Sequence, residues 1–150
     1  MPARDFLEQN LELYKDIAFY RREDERIRAI AEGHKSIRIK KAVVQESHDI
    51  YGNIFKTIDR LIYLSEIITE KQTRLDKIQH KTDLILWEIN NPTYRELLDL
   101  RYIKYNSWDT IADKLQRNDI HSIHRRALWN CERFMYLIPH ELMPAIKVYS

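Results

Sequence analysis

Residues 49–90 limit this chain more than any other stretch. Ile54, Ile58, Leu61, Ser65, Ile68, Gln72 and Leu75 recur at alternating spacings of four and three. That is a heptad seam with polar members at Ser65 and Gln72. After Leu75 it resumes three residues on, at Ile78, Thr82, Ile85 and Ile89, as across a stammer. One helix over this span is roughly 60 Å long at a rise of about 1.5 Å per residue. A chain of 150 residues cannot bury such a rod inside a globule of its own. The rod must pack on the N-terminal helix, on another chain, or on both. Ile54, Ile58, Leu61, Ile68 and Leu75 are therefore the candidate oligomerisation residues, with a homodimer favoured. Ser65 and Gln72 cost stability and can fix register.

Two glycines and four prolines leave few breaks, and Leu, Ile, Lys, Arg and Glu abound. Such a composition favours an all-α fold, which the residue patterns below divide into an N-terminal helical coiled-coil module and a C-terminal helix-turn-helix domain. No window approaches ~18 uncharged apolar residues, so no membrane partner is expected. The start "MPARDFLEQN" has acids where a signal peptide needs an apolar core. The lone Cys131 excludes an internal disulfide framework. A cytosolic protein is the simplest expectation. The formal charge is +2, so a nucleic-acid surface has to come from local clustering.

Along the chain, 1–33 reads as an N-terminal helix with Leu7, Leu11, Tyr14 and Ala18 on one face and Gly33 as its cap. Residues 34–48 read as a basic linker holding Lys35, Arg38, Lys40 and Lys41. The long helix fills 49–90. Asn91 and Pro92 end it, and Pro92 suits the first turn of the next helix. Residues 91–138 form the helix-turn-helix domain and 139–150 a tail.

Within that domain "KYN" breaks a short helix, and Ser107 is placed to cap the next. Trp108 anchors its start, with Asp109 near the positive end. Ile111, Ala112 and Leu115 then face a crossing helix, Ala112 as the small contact. "QRND" is the turn. Ile120, Ile123, Ala127, Cys131 and Phe134 of the following helix face inward. Its outer face carries His121, Ser122, Arg125, Arg126, Trp129 and Arg133, with no acid between Asp119 and Glu132. A recognition helix needs donors for base edges and cations for phosphates, so these six are the candidate DNA-binding residues.

The stretch "LLDLRYIKYNSWDTIADKL…IHSIHRRAL" resembles the phage-encoded ArpU/RinA-like transcriptional regulators, whose C-terminal part is similar to sigma-factor region 4. The matching residues are Leu98, Arg101, Tyr102 and Ile103; Ser107, Trp108, Ile111 and Ala112; Ile123, His124, Ala127 and Leu128. The chain departs from the pattern in a slightly shorter segment between Ala112 and His124. Gln116 and Arg117 stand where a small turn residue is usual, and Ser122 where an arginine is. The resemblance implies binding to double-stranded DNA near phage or prophage promoters and regulation of transcription, most simply as an activator. RNA polymerase is a further partner this implies.

Other classes fit less well. No phosphate loop, nucleophile elbow or metal-ligand spacing is present, so no enzyme, metal or cofactor is expected. His121 and Cys131 sit nearly three turns apart on one helix, and His124 and Cys131 about two, too far to share a zinc ion. Two alternatives to the regulator remain: a small-terminase-like DNA-packaging protein, and a protein-interaction adaptor with a degenerate helix-turn-helix.

Overall fold

The computed structural model describes the backbone of residues 1–41 and 47–145 and the side chains of residues 1–33 and 52–145. All regular structure among them is helical. The helices are α1 (Pro2–Lys41), α2 (Ser47–Glu88), α3 (Pro92–Leu98), α4 (Trp108–Leu115) and α5 (Ile120–Glu132). A π turn, Asp99–Ile103, continues α3, and two 3-10 turns, Met135–Leu137 and His140–Leu142, follow α5.

The boundary expected at Gly33 is not there, because α1 runs through it to Lys41. A glycine inside a helix costs only about 1 kcal/mol relative to alanine, and neither a second glycine nor a proline follows before Gly52. The first half of the expected 34–48 linker is therefore the end of α1. Residues 42–46 lie outside the described residues, as do the side chains of Lys35, Arg38, Lys40 and Lys41. The break after α2 is as read. Asn91 Oδ1 accepts from the Thr93 and Tyr94 N–H groups at 3.0 and 3.3 Å, and Pro92 opens α3. Arg95 donates to the Leu86 carbonyl at 3.1 Å and to the Ile89 carbonyl. It satisfies acceptors at the end of α2, whose last turn has no basic residue of its own.

The chain divides into two compact units, Met1–Tyr14 with Arg74–Ser150, and Lys15–Thr73. The core of the first includes Phe6 and Leu7 of α1, Ile78 and Ile85 of α2, and Leu97 and Leu128 of α3 and α5, all fully buried. Asn10 and Thr82 are fully buried as well. Asn10 Nδ2 donates to Thr82 Oγ1 and to the Leu7 carbonyl, each at 3.1 Å, and the Thr82 hydroxyl donates to the Ile78 carbonyl at 2.8 Å. Sliding α1 along α2 would separate these groups, so the pair favours one register. Two more bonds tie the first turns of α1 into the unit. The Ala3 N–H donates to Glu132 Oε1 at 2.8 Å, and Gln9 Nε2 to the Leu142 carbonyl at 2.8 Å. The unit holding α4 and α5 thus includes the start of α1 and the end of α2, beyond the 91–138 read from sequence.

The face of α1 also differs from the expected one. Ala3, Phe6, Leu7, Asn10, Leu13 and Ile17 are buried, Leu11 and Ala18 are half-buried, and Tyr14 is exposed. In the second unit, α1 and α2 segments run antiparallel, joined by Asp16–Lys71 at 3.2 Å and Glu23–Arg60 at 3.8 Å. Ile17, Ile27 and Leu64 are its buried apolar residues among the described side chains.

The seam splits where its phase shifts. Leu75, Ile78, Thr82, Ile85 and Ile89 are buried in the first unit. Leu75 is occupied within the chain and leaves the oligomerisation set. Upstream, Ile54, Leu61 and Ile68 are half-buried and Ile58 is exposed. The exposed apolar stripe of α2 is Phe55, Ile58 and Ile62, again spaced by three and four.

Candidate nucleic-acid interface

The site begins with two turns. Tyr105 has φ 58°, a left-handed conformation that L side chains rarely adopt. Its ring stacks on Tyr14 with centroids 4.0 Å apart, and Gln79 Nε2 donates to its hydroxyl oxygen at 2.6 Å. These contacts hold the "KYN" break. Ser107 caps α4 as read, its Oγ accepting from the Thr110 N–H at 3.2 Å. At the other end Gln116 has φ 54° and ψ 44°. The Arg117 N–H donates to the Ala112 carbonyl at 3.1 Å and the Gln116 N–H to the Asp113 carbonyl at 3.3 Å. That bond pair is a Schellman motif, so a glutamine fills the left-handed position where glycine is usual. Four residues after α4 the chain enters α5. Asp119 is its cap residue, with no side-chain bond; its carbonyl accepts from the Ser122 and Ile123 N–H groups at 3.0 and 3.1 Å.

Helices α3, α4 and α5 pack on one another. Of the expected core, Ile111, Ile120, Ile123 and Ala127 are buried. Trp108, Ala112 and Leu115 are half-buried, and so is Phe134, which lies past the end of α5. Cys131 is fully buried, and burial pushes its thiol up to about 12, so it stays protonated at neutral pH.

Trp108 is an anchor. The Arg101 guanidinium lies 4.5 Å from its ring centroid, and the His121 and His124 rings lie 5.2 and 4.6 Å away. His124 Nε2 and the Tyr102 hydroxyl share a hydrogen bond of 2.8 Å. Burial, then the charges of Arg4, Arg101 and His121, lower His124 to about 4, so its imidazole is neutral at pH 7. Burial raises Tyr102. Sequence reading found Arg101, Tyr102 and His124 as motif residues but not as one cluster, because their joining depends on the turn at 104–106.

The outer face of α5 is placed as expected. His121, Arg125, Arg126, Trp129 and Arg133 are exposed and Ser122 is half-buried. Asn130, half-buried beside them, was missed, as were the exposed Lys114 and Arg117 near the turn. Their signal was present, since Lys114 lies just before the turn and Arg117 within it, ahead of a helix with no acid before Glu132. Glu132, the first acid after Asp119, takes the Ala3 N–H. Among the described residues no cluster of three or more His, Cys, Asp or Glu side chains is set to hold a metal ion. No helix among them is long and apolar enough to cross a membrane.

No family model, no curated protein and no solved structure matches the chain.

Proposed function

We propose that this chain is a DNA-binding regulator of phage or prophage transcription that reads duplex DNA with the outer face of α5. One observation carries the reading. The exposed side of α5 presents His121, Arg125, Arg126 and Trp129, with Arg133 at its C-cap and no carboxylate between Asp119 and Glu132, on a helix held from behind by buried apolar residues. Cations on such a face neutralise phosphates, and donors in its first turns suit base edges. The capped α4 and the Schellman turn support the same reading, as does the resemblance of these residues to the ArpU/RinA-like regulators. Self-association belongs to the proposal too. Phe55, Ile58 and Ile62 give α2 an apolar stripe with coiled-coil spacing, suited to a second copy. A dimer would read two half-sites about 34 Å apart, or multiples of that.

The test is a binding titration on duplex DNA at several salt concentrations. Arg125→Ala and Arg126→Ala should each weaken binding, and loss of one phosphate contact should lower the salt slope by about one. A parent protein with no salt-dependent affinity for any duplex would refute the reading and favour the adaptor.

A further inference from the structure

The C-terminal half of α5 bears a groove of about 440 Å³ lined by Arg126, Trp129, Asn130, Glu132 and Arg133. Its chemistry differs from that of the first turns. Trp129 is 63% exposed and has no ring partner among the described residues. Neither Arg126 nor Arg133 makes an ion pair among them. An intact major groove is read by narrow side chains that place two hydrogen-bonding atoms against a base edge. An indole has one donor and no acceptor; what it offers is a flat π face. Arg126 and Arg133 lie three residues before it and four after it, so each is its neighbour on the helix surface, one on either side. Asn130 adds an amide that both donates and accepts, as an adenine edge requires. Glu132 would repel a phosphate, but one of its oxygens is engaged by Ala3.

A stacking plate between two cations, beside an amide, is the equipment for a nucleotide whose base is free of its own stack. The volume falls within the range of about 300–1,000 Å³ of small-ligand sites, room for one such unit. We propose that this groove takes a single unpaired nucleotide of DNA. Its base stacks on Trp129 with its edge toward Asn130, and Arg126 and Arg133 hold the phosphates on either side. The inference rests on α5 being the DNA-binding helix. It adds that the preferred ligand is a duplex carrying an unpaired nucleotide over one that is paired throughout.

The experiment uses the full chain and two hairpin DNAs of the same stem sequence, each closed by a non-nucleotide linker so that no loop base is unpaired, one fully paired and one with a single bulged nucleotide added. The bulged hairpin should bind roughly tenfold more tightly, as expected for one added base–aromatic stack, and should quench tryptophan fluorescence more. Trp129→Ala, at an exposed position, should bring the affinities for the two hairpins together, whatever its effect on both, and Trp129→Phe should keep part of the difference. Equal affinity of the parent for the two hairpins overturns the inference and leaves the duplex-reading proposal standing. A preference that survives in Trp129→Ala also overturns it, since the unpaired base would then be held elsewhere. Absence of binding to both hairpins overturns the duplex-reading proposal and the inference with it.

Discussion

Replacing Phe6 by alanine should damage the α4–α5 unit as severely as a mutation inside the helix-turn-helix itself. Phe6 is 0% exposed and belongs to the same compact unit as α4 and α5. Removing a buried phenyl ring costs about 3–5 kcal/mol, part in lost transfer energy and part in the cavity left behind. Collapse around the gap is resisted nearby by the Ala3–Glu132, Asn10–Thr82 and Gln9–Leu142 bonds, so little of that cost is recovered. Domains of this kind are stable by about 5–15 kcal/mol, so the loss is a large share of the whole. At a urea dependence of ~1–3 kcal/mol per molar, the unfolding midpoint should fall by roughly 1–5 M. All three tryptophans, Trp87, Trp108 and Trp129, lie in this unit, so their fluorescence follows its unfolding. Phe19→Ala is the control, since Phe19 is 52% exposed in the other unit and should change the midpoint little. If Phe6→Ala moves the midpoint no further than Phe19→Ala does, the start of α1 is not part of that core.

Gln116→Gly should stabilise by about 0.5–1 kcal/mol, because relief of the left-handed backbone exceeds the added flexibility of the unfolded chain. A lower melting temperature would show that the glutamine side chain contributes something the glycine cannot. Asn10→Leu removes an amide whose Oδ1 has no hydrogen-bond partner among the described residues, so two lost hydrogen bonds are offset and stability should change by less than about 1 kcal/mol. A loss several times larger in urea titration would make the amide a main source of stability. His124 has a folded pKa of about 4, below its ordinary 6.5, so an unfolded chain takes the proton first as pH falls. Its contribution is full above pH 6.5, declines between there and 4, and after discounting for partial exposure amounts to roughly 1–2 kcal/mol. Urea midpoints across that window should fall more for the parent than for His124→Gln; parallel curves would refute the assignment.

The parts legible in the sequence were those set by local chemistry. Asn91–Pro92, the Ser107 cap and the inward row Ile120, Ile123 and Ala127 each depend on residues within a turn or two, and the structure has all of them. The face of α1 was not legible, because its buried set includes the polar Gln9 and Asn10. A pattern that counts only apolar residues chose Leu11 and Tyr14 over Phe6 and Leu13. Only Thr82, 72 residues away, gives Asn10 a reason to be inside. The stammer after Leu75 was visible, but its meaning was not. It marks the place where the seam passes into the core shared with α3–α5, beside the border at Arg74. The turn at Gln116 looked deficient by composition. Its geometry requires only a residue that tolerates φ near 54°, and two backbone bonds hold the glutamine there.

The candidate interface depends on how firmly α5 is held. Its first turns are fixed by tilted and edge-on contacts of the Trp108 ring with His121 and His124 and by the Tyr102–His124 bond. Its last turn is fixed by Glu132, which takes the Ala3 N–H from the start of the chain. Most of these contacts use the inner side or flank of the helix, so Arg125, Arg126, Trp129 and Arg133 remain uncovered. A helix ordered before binding loses less entropy on the DNA than one that must be ordered by it. Placing side chains against base edges or a stacked nucleotide also tolerates errors of only about 0.5 Å. If α5 reads DNA as proposed, Ala3 and Phe6, which support it from the other end of the unit, act on recognition through its position. In the proposed mechanism, changes there reach every contact of the helix at once, whereas loss of one arginine removes one contact.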